Sequence, residues 1–430
     1  MQRKELHIAP MLAVSTPEFR YFHRLLSRHT IIWTEMVVDE TLVHAPDFPL
    51  EYAPNVIIQL GGNNPDWTRQ SMKIIQQAGF AHVNLNAGCP SHRVATARCF
   101  GAALLKDVDT AISMLQAMQE TFENEISIKM RIAVDELQGY EEFLYPFVQQ
   151  LYQHTACRQF FLHARKVHTQ GLNPAQNRTI PPLDYSVVYR LCRDFPDCDF
   201  WVNGGIRTLR HAKEICRGVV DVHHHGSIPC ALCQQPHGSC IAPPEYPAPP
   251  NLRGCMLGRA AMDDPARFAT ADTYFFGATE NPTQCRRELL DLYCQYIEER
   301  YPRRCCDDHP TTTMQDRAPD IEHTADFCPI CDPHASIHNG EGDHNGNDKQ
   351  KQQKPTMKMS SRAVDASIKP IFGVFFNLRG AAKSWKRTLN NLSRDPIKRN
   401  CGPAFLIRQA MLTMPDELLD QPWQQEEDVI

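Results

Sequence analysis

Residues 82–94 read HVNLNAGCPSHRV. The apolar residues alternate, the period-two signature of a strand, and the run stops on Asn-Ala-Gly-Cys-Pro. A structural cysteine behaves as a small hydrophobe and belongs inside the apolar part of a strand. Cys89 lies just past it, between a glycine and a proline that shape a loop. The sequence presents a thiol at a strand end.

Seven further runs of the same kind surround this one: LHIAPML (6–12), TIIWTEMV (30–37), NVIIQLGG (55–62), ISIKMRI (126–132), QFFLHAR (159–165), FWVNGGI (200–206) and GCMLGRA (254–260). Helical patterns such as NPDWTRQSMKIIQQAG (64–79) and DYSVVYRLCRDF (184–195) lie between several of them. Eight strands alternating with helices predict a closed (β/α)8 TIM barrel over residues 1–275 rather than an open doubly wound sheet.

In such a barrel, chemistry sits at the carboxyl ends of the strands. Read in order, those ends offer Pro10 and Met11, Glu35 and Met36, Gln59 with Gly61 and Gly62, Asn86 with Cys89, and Lys129 with Arg131. His163 with Arg165, Asn203 with Gly204 and Gly205, and Gly258 with Arg259 complete the circle. A lone Asn-Gly-Gly is an ordinary turn, and a lone Lys or His is more often structural. Their joint position at consecutive strand ends points to a site. Glycine turns after the last two strands let backbone N–H groups approach a phosphate, which implies a phosphorylated cofactor.

The chain has 430 residues, 42% of them apolar, enough for a sizeable core. The start has too short an apolar run for a signal peptide, and no run of eighteen apolar residues occurs, so the expectation is a soluble, cytoplasmic protein with no membrane partner. Its 17 cysteines are scattered without an export signal, which favours reduced thiols over a disulfide framework. Between residues 349 and 400, thirteen Lys or Arg face two Asp, inside a chain of net charge -5. That local excess fits either a phosphate-facing surface or a solvated linker and helix face.

These residues resemble the tRNA-dihydrouridine synthases, within them the A-type branch. The resemblance rests on APML (9–12), TEMV (34–37), QLGGNNP (59–65), NLNAGCPSHRV (84–94), HARK (163–166), NPAQNRTIPPLDY (173–185), NGGI (203–206) and GRAAMDDP (258–265). A further match returns with IKPIFGVFFNLRGAAKSWKRTLN (368–390). It implies FMN-dependent reduction of uridine to 5,6-dihydrouridine in tRNA, with NADPH recharging the flavin. Carried over, the flavin contacts fall on Pro10, Met11, Leu12, Gln59, Lys129, His163, Asn203, Gly204, Gly205, Gly258 and Arg259, and the protonating cysteine on Cys89. Asn86, Arg131 and Arg178, with Lys129, fall on positions used near the target uracil.

The chemistry accounts for these residue types. The 5,6 double bond of uracil is conjugated to a carbonyl, so hydride delivered to C6 leaves enolate-like charge that a proton must quench at C5. An ordinary thiol, pKa about 8.5, is protonated at neutral pH and suits that role. In a strongly cationic site it would instead become a nucleophile. Lys129 would stabilise negative charge around N1 and O2 of a reduced flavin, and Asn86 can pair with the polar edge of a uracil. A base in folded RNA must also be extruded and its backbone gripped elsewhere. Lys383, Lys386 and Arg387 cluster around Trp385 at helical spacing, offering cations to phosphates while Trp385 packs or stacks. The A-type helix tends to carry Arg where Lys383 and Lys386 stand, and Lys cannot mimic that planar fork.

The expected plan is therefore the barrel, then a small all-α helical domain built from 280–302 and 367–415, with an acidic, loose tail over 416–430. Two inserts, about 222–252 and 303–366, have no counterpart in the family's plan, and the second reads as disordered. Each holds a C-x-x-C pair, Cys230 with Cys233 and Cys328 with Cys331. The pairs lie in different domains, so no metal site is expected, with a four-thiolate zinc site as the alternative. No obligate protein partner is evident. Two other functions share the same residues: a flavin reductase of a free pyrimidine or small enone, and a non-catalytic RNA-binding barrel.

Overall fold

The computed structural model describes residues 3–45, 47–91, 100–218, 248–302, 360–378 and 380–424. Most of both inserts, including Cys230, Cys233, Cys328 and Cys331, lies outside them. The described chain divides into two compact units, one of residues up to Gln284 together with Trp423 onward, the other Cys285–Pro422.

The first unit is the predicted barrel. Its strands are β1 (Glu5–Ile8), β2 (Ile31–Val38), β3 (Val56–Gly61), β4 (His82–Ala87), β5 (Glu125–Val134), β6 (Gln159–Val167), β7 (Asp199–Asn203) and β8 (Leu252–Leu257). They pair in parallel in that order and close on themselves, with Glu5 of β1 opposite Gly254 of β8. The closure needs that glycine: a Cβ there would lie 2.0 Å from the Glu5 carbonyl oxygen. Between strands run α1 (Pro17–Leu26), α2 (Asp39–His44), α3 (Pro65–Gln77), α4 (Val108–Thr121), α5 (Tyr145–His154), α6 (Ser186–Asp194) and α7 (Leu209–Arg217).

Local chemistry starts and stops these helices. Thr16, Asn64, Asp107 and Thr208 cap α1, α3, α4 and α7 with side-chain oxygens that accept backbone N–H groups, and Pro17 and Pro65 open the first turns of α1 and α3. Gly218, at φ 88°, ends α7 in the left-handed region. Inside the barrel, Ala9, Trp33, Ile57, Phe161, Trp201 and Met256 form one buried layer, with Phe161 and Trp201 stacked at 4.4 Å. Because alternate strand residues share a face, the next layer toward the carboxyl ends includes Gln59, His163 and Asn203. That alternation is what turns a filled core into a floor for a site.

The second unit is helical, with α10 (Arg286–Arg300), α11 (Ser361–Ile368), α12 (Ala381–Arg394), α13 (Pro396–Asn400), α14 (Pro403–Met411) and α15 (Asp416–Leu419); the short α8 (Arg259–Asp263) and α9 (Ala271–Tyr274) belong to the barrel unit. Leu289, Tyr293 and Ile297 of α10, Trp385 and Leu389 of α12, and Leu406 of α14 are fully buried. Trp385 donates its Nε1–H to the Ile371 carbonyl at 2.9 Å and its ring meets Phe375. It is core, so of its two expected roles it packs and does not stack. The acidic segment after Met414 begins as helix rather than loose tail, because Arg287 pairs with both Asp416 and Asp420.

Candidate active site

The carboxyl end of β4 turns sharply at Cys89. Asn86 makes the turn: its Oδ1 accepts the backbone N–H groups of Gly88 and Cys89, each at 3.0 Å, and its Nδ2 donates to Gln59 Oε1 at 2.8 Å. The Cys89 carbonyl in turn accepts the Ala102 N–H at 3.0 Å. Both lone-pair directions of the Asn86 oxygen are therefore occupied, leaving one N–H for a ligand. The expected two-way reading of a uracil edge by Asn86 reduces to a single donated bond.

The thiol lies in the field of Arg131, Lys129 and Arg178, all at the carboxyl end of the barrel. Burial nevertheless dominates and pushes it up, against the opposing pull of the Ser91 backbone and those three cations. Cys89 is thus held protonated at neutral pH, an acid rather than a nucleophile. Lys129, beside Asn86 in the β4–β5 register, is half-buried. Burial first, then Arg131, brings its ammonium down to about 7, against the attraction of Cys89. Arg131 is buried and lowered to about 9, chiefly by burial and then by Arg165. It donates to the carbonyls of Asn177 at 3.0 Å and Lys166 at 3.4 Å.

His163 sits opposite Arg131 on one side and Asn203 on the other. Burial, then Arg131, Lys129, Arg165 and Arg178, holds its imidazole well below the ordinary range, so it is neutral. Asn203 donates to the Met256 carbonyl at 2.8 Å. The chain then passes through Gly204 at φ 110° and Gly205 at φ 69°. A Cβ on Gly204 would stand 2.5 Å from His163 Cδ2, and one on Gly205 would stand 2.3 Å from Leu183 Cδ2's partner methyl, Cδ1. A Cβ on Gly258 would make only ordinary contacts, with Ala9 Cβ at 3.7 Å and Met11 Sδ at 3.9 Å. Arg259 is lowered by burial and by Arg178 and Arg207, against Asp263. Two glycine turns, bordered by a neutral imidazole and several guanidinium groups, suit a ligand that carries a phosphate.

Most of the expected residues thus converge. Pro10 and Met11 close the β1 side, where the Met11 N–H donates to the buried Ser15 hydroxyl at 3.0 Å and the Ala13 N–H donates to Glu35 at 2.5 Å. Gln59 is buried and joined to Asn86. Leu12 differs, being 77% exposed on the loop after β1. Arg178 is exposed, and its carbonyl accepts from Arg259 at 3.2 Å. Lys383, Lys386 and Arg387 are exposed on α12 of the second unit.

Arg165, already expected at the β6 end, is buried and donates to the Pro181 carbonyl, and its Nε has no partner among the described residues. The structure adds residues the strand-end reading left out. Tyr185 donates its hydroxyl to the Gly204 carbonyl at 2.5 Å, and Leu183 packs under the same turn. The NRTIPPLDY segment is therefore the brace of the glycine turn, a role signalled only by its aromatic and apolar residues standing in a loop. Among the described residues no cluster of three or more His, Cys, Asp or Glu could hold a metal, Cys89, Cys157, Cys192, Cys198, Cys216, Cys255 and Cys285 are free thiols, and no helix is long and apolar enough to cross a membrane.

Comparison with known proteins agrees with this geometry. The family profile described as dihydrouridine synthase (Dus) matches residues 7–222. A tRNA-dihydrouridine(20/20a) synthase of Yersinia pestis is 41% identical over 295 residues, 68% of this chain and 75% of the relative. That of Haemophilus ducreyi is 40% identical over 301 residues, 69% of this chain and 81% of the relative. The enzyme of the same name from Pasteurella multocida is 36% identical over 301 residues, with the same shares. With the barrel, the thiol-bearing turn and the glycine rim in place, the chain belongs to the dihydrouridine synthase family.

Proposed function

We propose that this chain reduces uridine to 5,6-dihydrouridine in tRNA, using FMN recharged by NADPH. The observation that carries the reading is the Cys89 thiol, kept protonated at the barrel mouth while facing Lys129, Arg131 and Arg178. When bound, FMN supplies the hydride. Gly204, Gly205, Gly258 and Arg259 would hold its phosphate, while Pro10, Met11, Gln59, His163 and Asn203 would line its ring and ribityl chain. Lys129 would hold positive charge near the pyrimidine end of that ring; its low pKa in the buried site rises again when an anion neutralises its surroundings.

On the substrate side, Cys89 delivers the proton to C5 of the base, and the Asn86 turn holds its sulfur in place. The remaining N–H of Asn86 would donate to a uracil carbonyl, and Arg131 and Arg178 would steady the developing negative charge. Lys383, Lys386 and Arg387 would grip phosphates outside the flipped nucleotide. Mapping dihydrouridine in tRNA from cells with and without the protein tests the activity, and loss of the modified base in the deficient cells is expected. A purified protein that reduces free pyrimidines, and whose tRNA affinity does not fall with salt, would instead favour a small-molecule reductase.

A further inference from the structure

The glycine turn after β7 can present either side of one peptide to a ligand. Gly204 stands at φ 110° and Gly205 at φ 69°, so the peptide between them is flanked by two residues with no Cβ to oppose its rotation. In that trans unit the Gly204 carbonyl and the Gly205 N–H point in opposite directions. Whatever fixes the oxygen therefore aims the hydrogen. One orientation offers a donor to an anion, and the other offers a carbonyl oxygen that repels it.

Tyr185 makes that choice. Its buried hydroxyl donates to the Gly204 carbonyl at 2.5 Å, and because a carbonyl only accepts, the sense of the bond is fixed. Burial holds the phenol above its ordinary range, against the pull of Arg165, so it keeps its proton. The segment that carries the hydroxyl is tied to β6 in turn. The Asp184 N–H donates to the Ala164 carbonyl at 2.9 Å, Leu183 bridges to Arg165, and the Arg165 guanidinium donates to the Pro181 carbonyl.

The other side of the peptide points to a ligand. Gly205 is half-buried, and its N–H donates to no group among the described residues. A backbone donor left in that state is satisfied by water or by a bound group. Cations gather beside it: burial lowers the Arg165 guanidinium, Tyr185 opposes, and Arg259 and Arg207 lower it further. An unpaired N–H among three guanidinium groups suits an anion.

We propose that Tyr185 is a positioning residue that makes the site select a phosphorylated flavin, because its hold on the Gly204 carbonyl keeps the Gly205 N–H turned to the phosphate. This rests on the reading of the glycine rim as the FMN phosphate site. Without the hydroxyl, two glycines let the peptide rotate, and its oxygen would then oppose the phosphate.

The test measures binding of FMN, and of riboflavin, which lacks only the phosphate, to the full-length protein freed of flavin, by quenching of flavin fluorescence. Tyr185→Phe keeps the ring and removes one donor. The native protein should bind FMN more tightly than riboflavin. The variant should lose about tenfold in FMN affinity, the worth of one net hydrogen bond, with riboflavin affinity unchanged. An equal loss for both flavins would make Tyr185 a packing residue, and no loss for either would leave it without a role; each result overturns the proposal while the native preference for FMN still stands. A native protein that binds both flavins alike, or neither, overturns the phosphate reading and the proposal with it. Should Tyr185→Phe fail to fold, native protein isotope-labelled at its glycines decides the matter. Inorganic phosphate should move the Gly205 amide proton downfield, and a Gly205 resonance that does not respond overturns the proposal.

Discussion

Replacing Cys89 by Ala removes one proton and one sulfur from a site otherwise built of cations, glycines and amides, and its consequence follows from the thiol's environment. Burial raises the thiol above its ordinary pKa despite Arg131, Lys129 and Arg178, so at pH 7 it is protonated almost completely and is available as an acid in every turnover. A positioned general acid contributes about 10²–10⁴ in rate. At 1.36 kcal/mol per decade, the variant should lose about 3–5 kcal/mol of transition-state stabilisation. Flavin retention and tRNA affinity should be unaffected, because neither depends on the sulfur. The assay is single-turnover reduction of tRNA by the anaerobically reduced protein, with dihydrouridine quantified after digestion. In the native protein the rate should hold level through neutral pH and fall only as pH rises past the elevated thiol pKa. A falling limb near pH 7 would assign the titrating group to Lys129 instead. A Cys89→Ala protein within tenfold of the native rate would refute the acid role outright.

Three other outcomes follow from the geometry. Gly258→Ala meets nothing closer than 3.7 Å and should leave thermal stability nearly unchanged while filling the phosphate cradle, whereas Gly204→Ala would drive a Cβ to 2.5 Å from His163 at φ 110°. The first should lose bound flavin alone, the second flavin and about 1–3 kcal/mol of stability, read from absorbance and a melting curve. Replacing Lys383, Lys386 and Arg387 together by Ala should lower the slope of log affinity for tRNA against log salt by about 2–3, leaving turnover at saturating tRNA intact. His23 is buried and held neutral, at about 3 against an ordinary 6.5, chiefly by burial. The unfolded chain therefore takes up a proton that the native protein refuses. Stability is complete above about pH 6.5 and declines as pH falls toward 3, by about 2.5 kcal/mol at pH 4.5 from this group. A His23→Gln protein should show a correspondingly shallower acid dependence in urea unfolding.

The barrel was legible from the chain because eight strand-like runs recur with helical patterns between several of them, and because parallel strands joined by helices have few ways to close. The thiol at the end of β4 was legible for a related reason: a cysteine outside the apolar run, between Gly88 and Pro90, has no packing role to explain it. Lys129, His163, Asn203 and the glycine turns were found as strand-end residues, a purely one-dimensional property. Even the polar residues His82, Asn84 and Asn86, alternating with apolar neighbours, carry the signal that one face of β4 is not an ordinary core face.

What local pattern could not contain was which side chains meet across strands. Asn86 looked like a ligand for a base, and only the fold shows its oxygen committed to the turn at Gly88 and Cys89. Trp385 could have stacked or packed, and burial against Phe375 and the Ile371 carbonyl decided it. The brace of Leu183 and Tyr185 under Gly204 joins residues far apart in the chain. Sequence alone determined the architecture and the reagents, because both are written in local periodicity and in departures from it. The protonation state of the thiol and the sense of the Asn86 amide were decided by tertiary structure, because desolvation and hydrogen-bond partnership exist only once the barrel has closed.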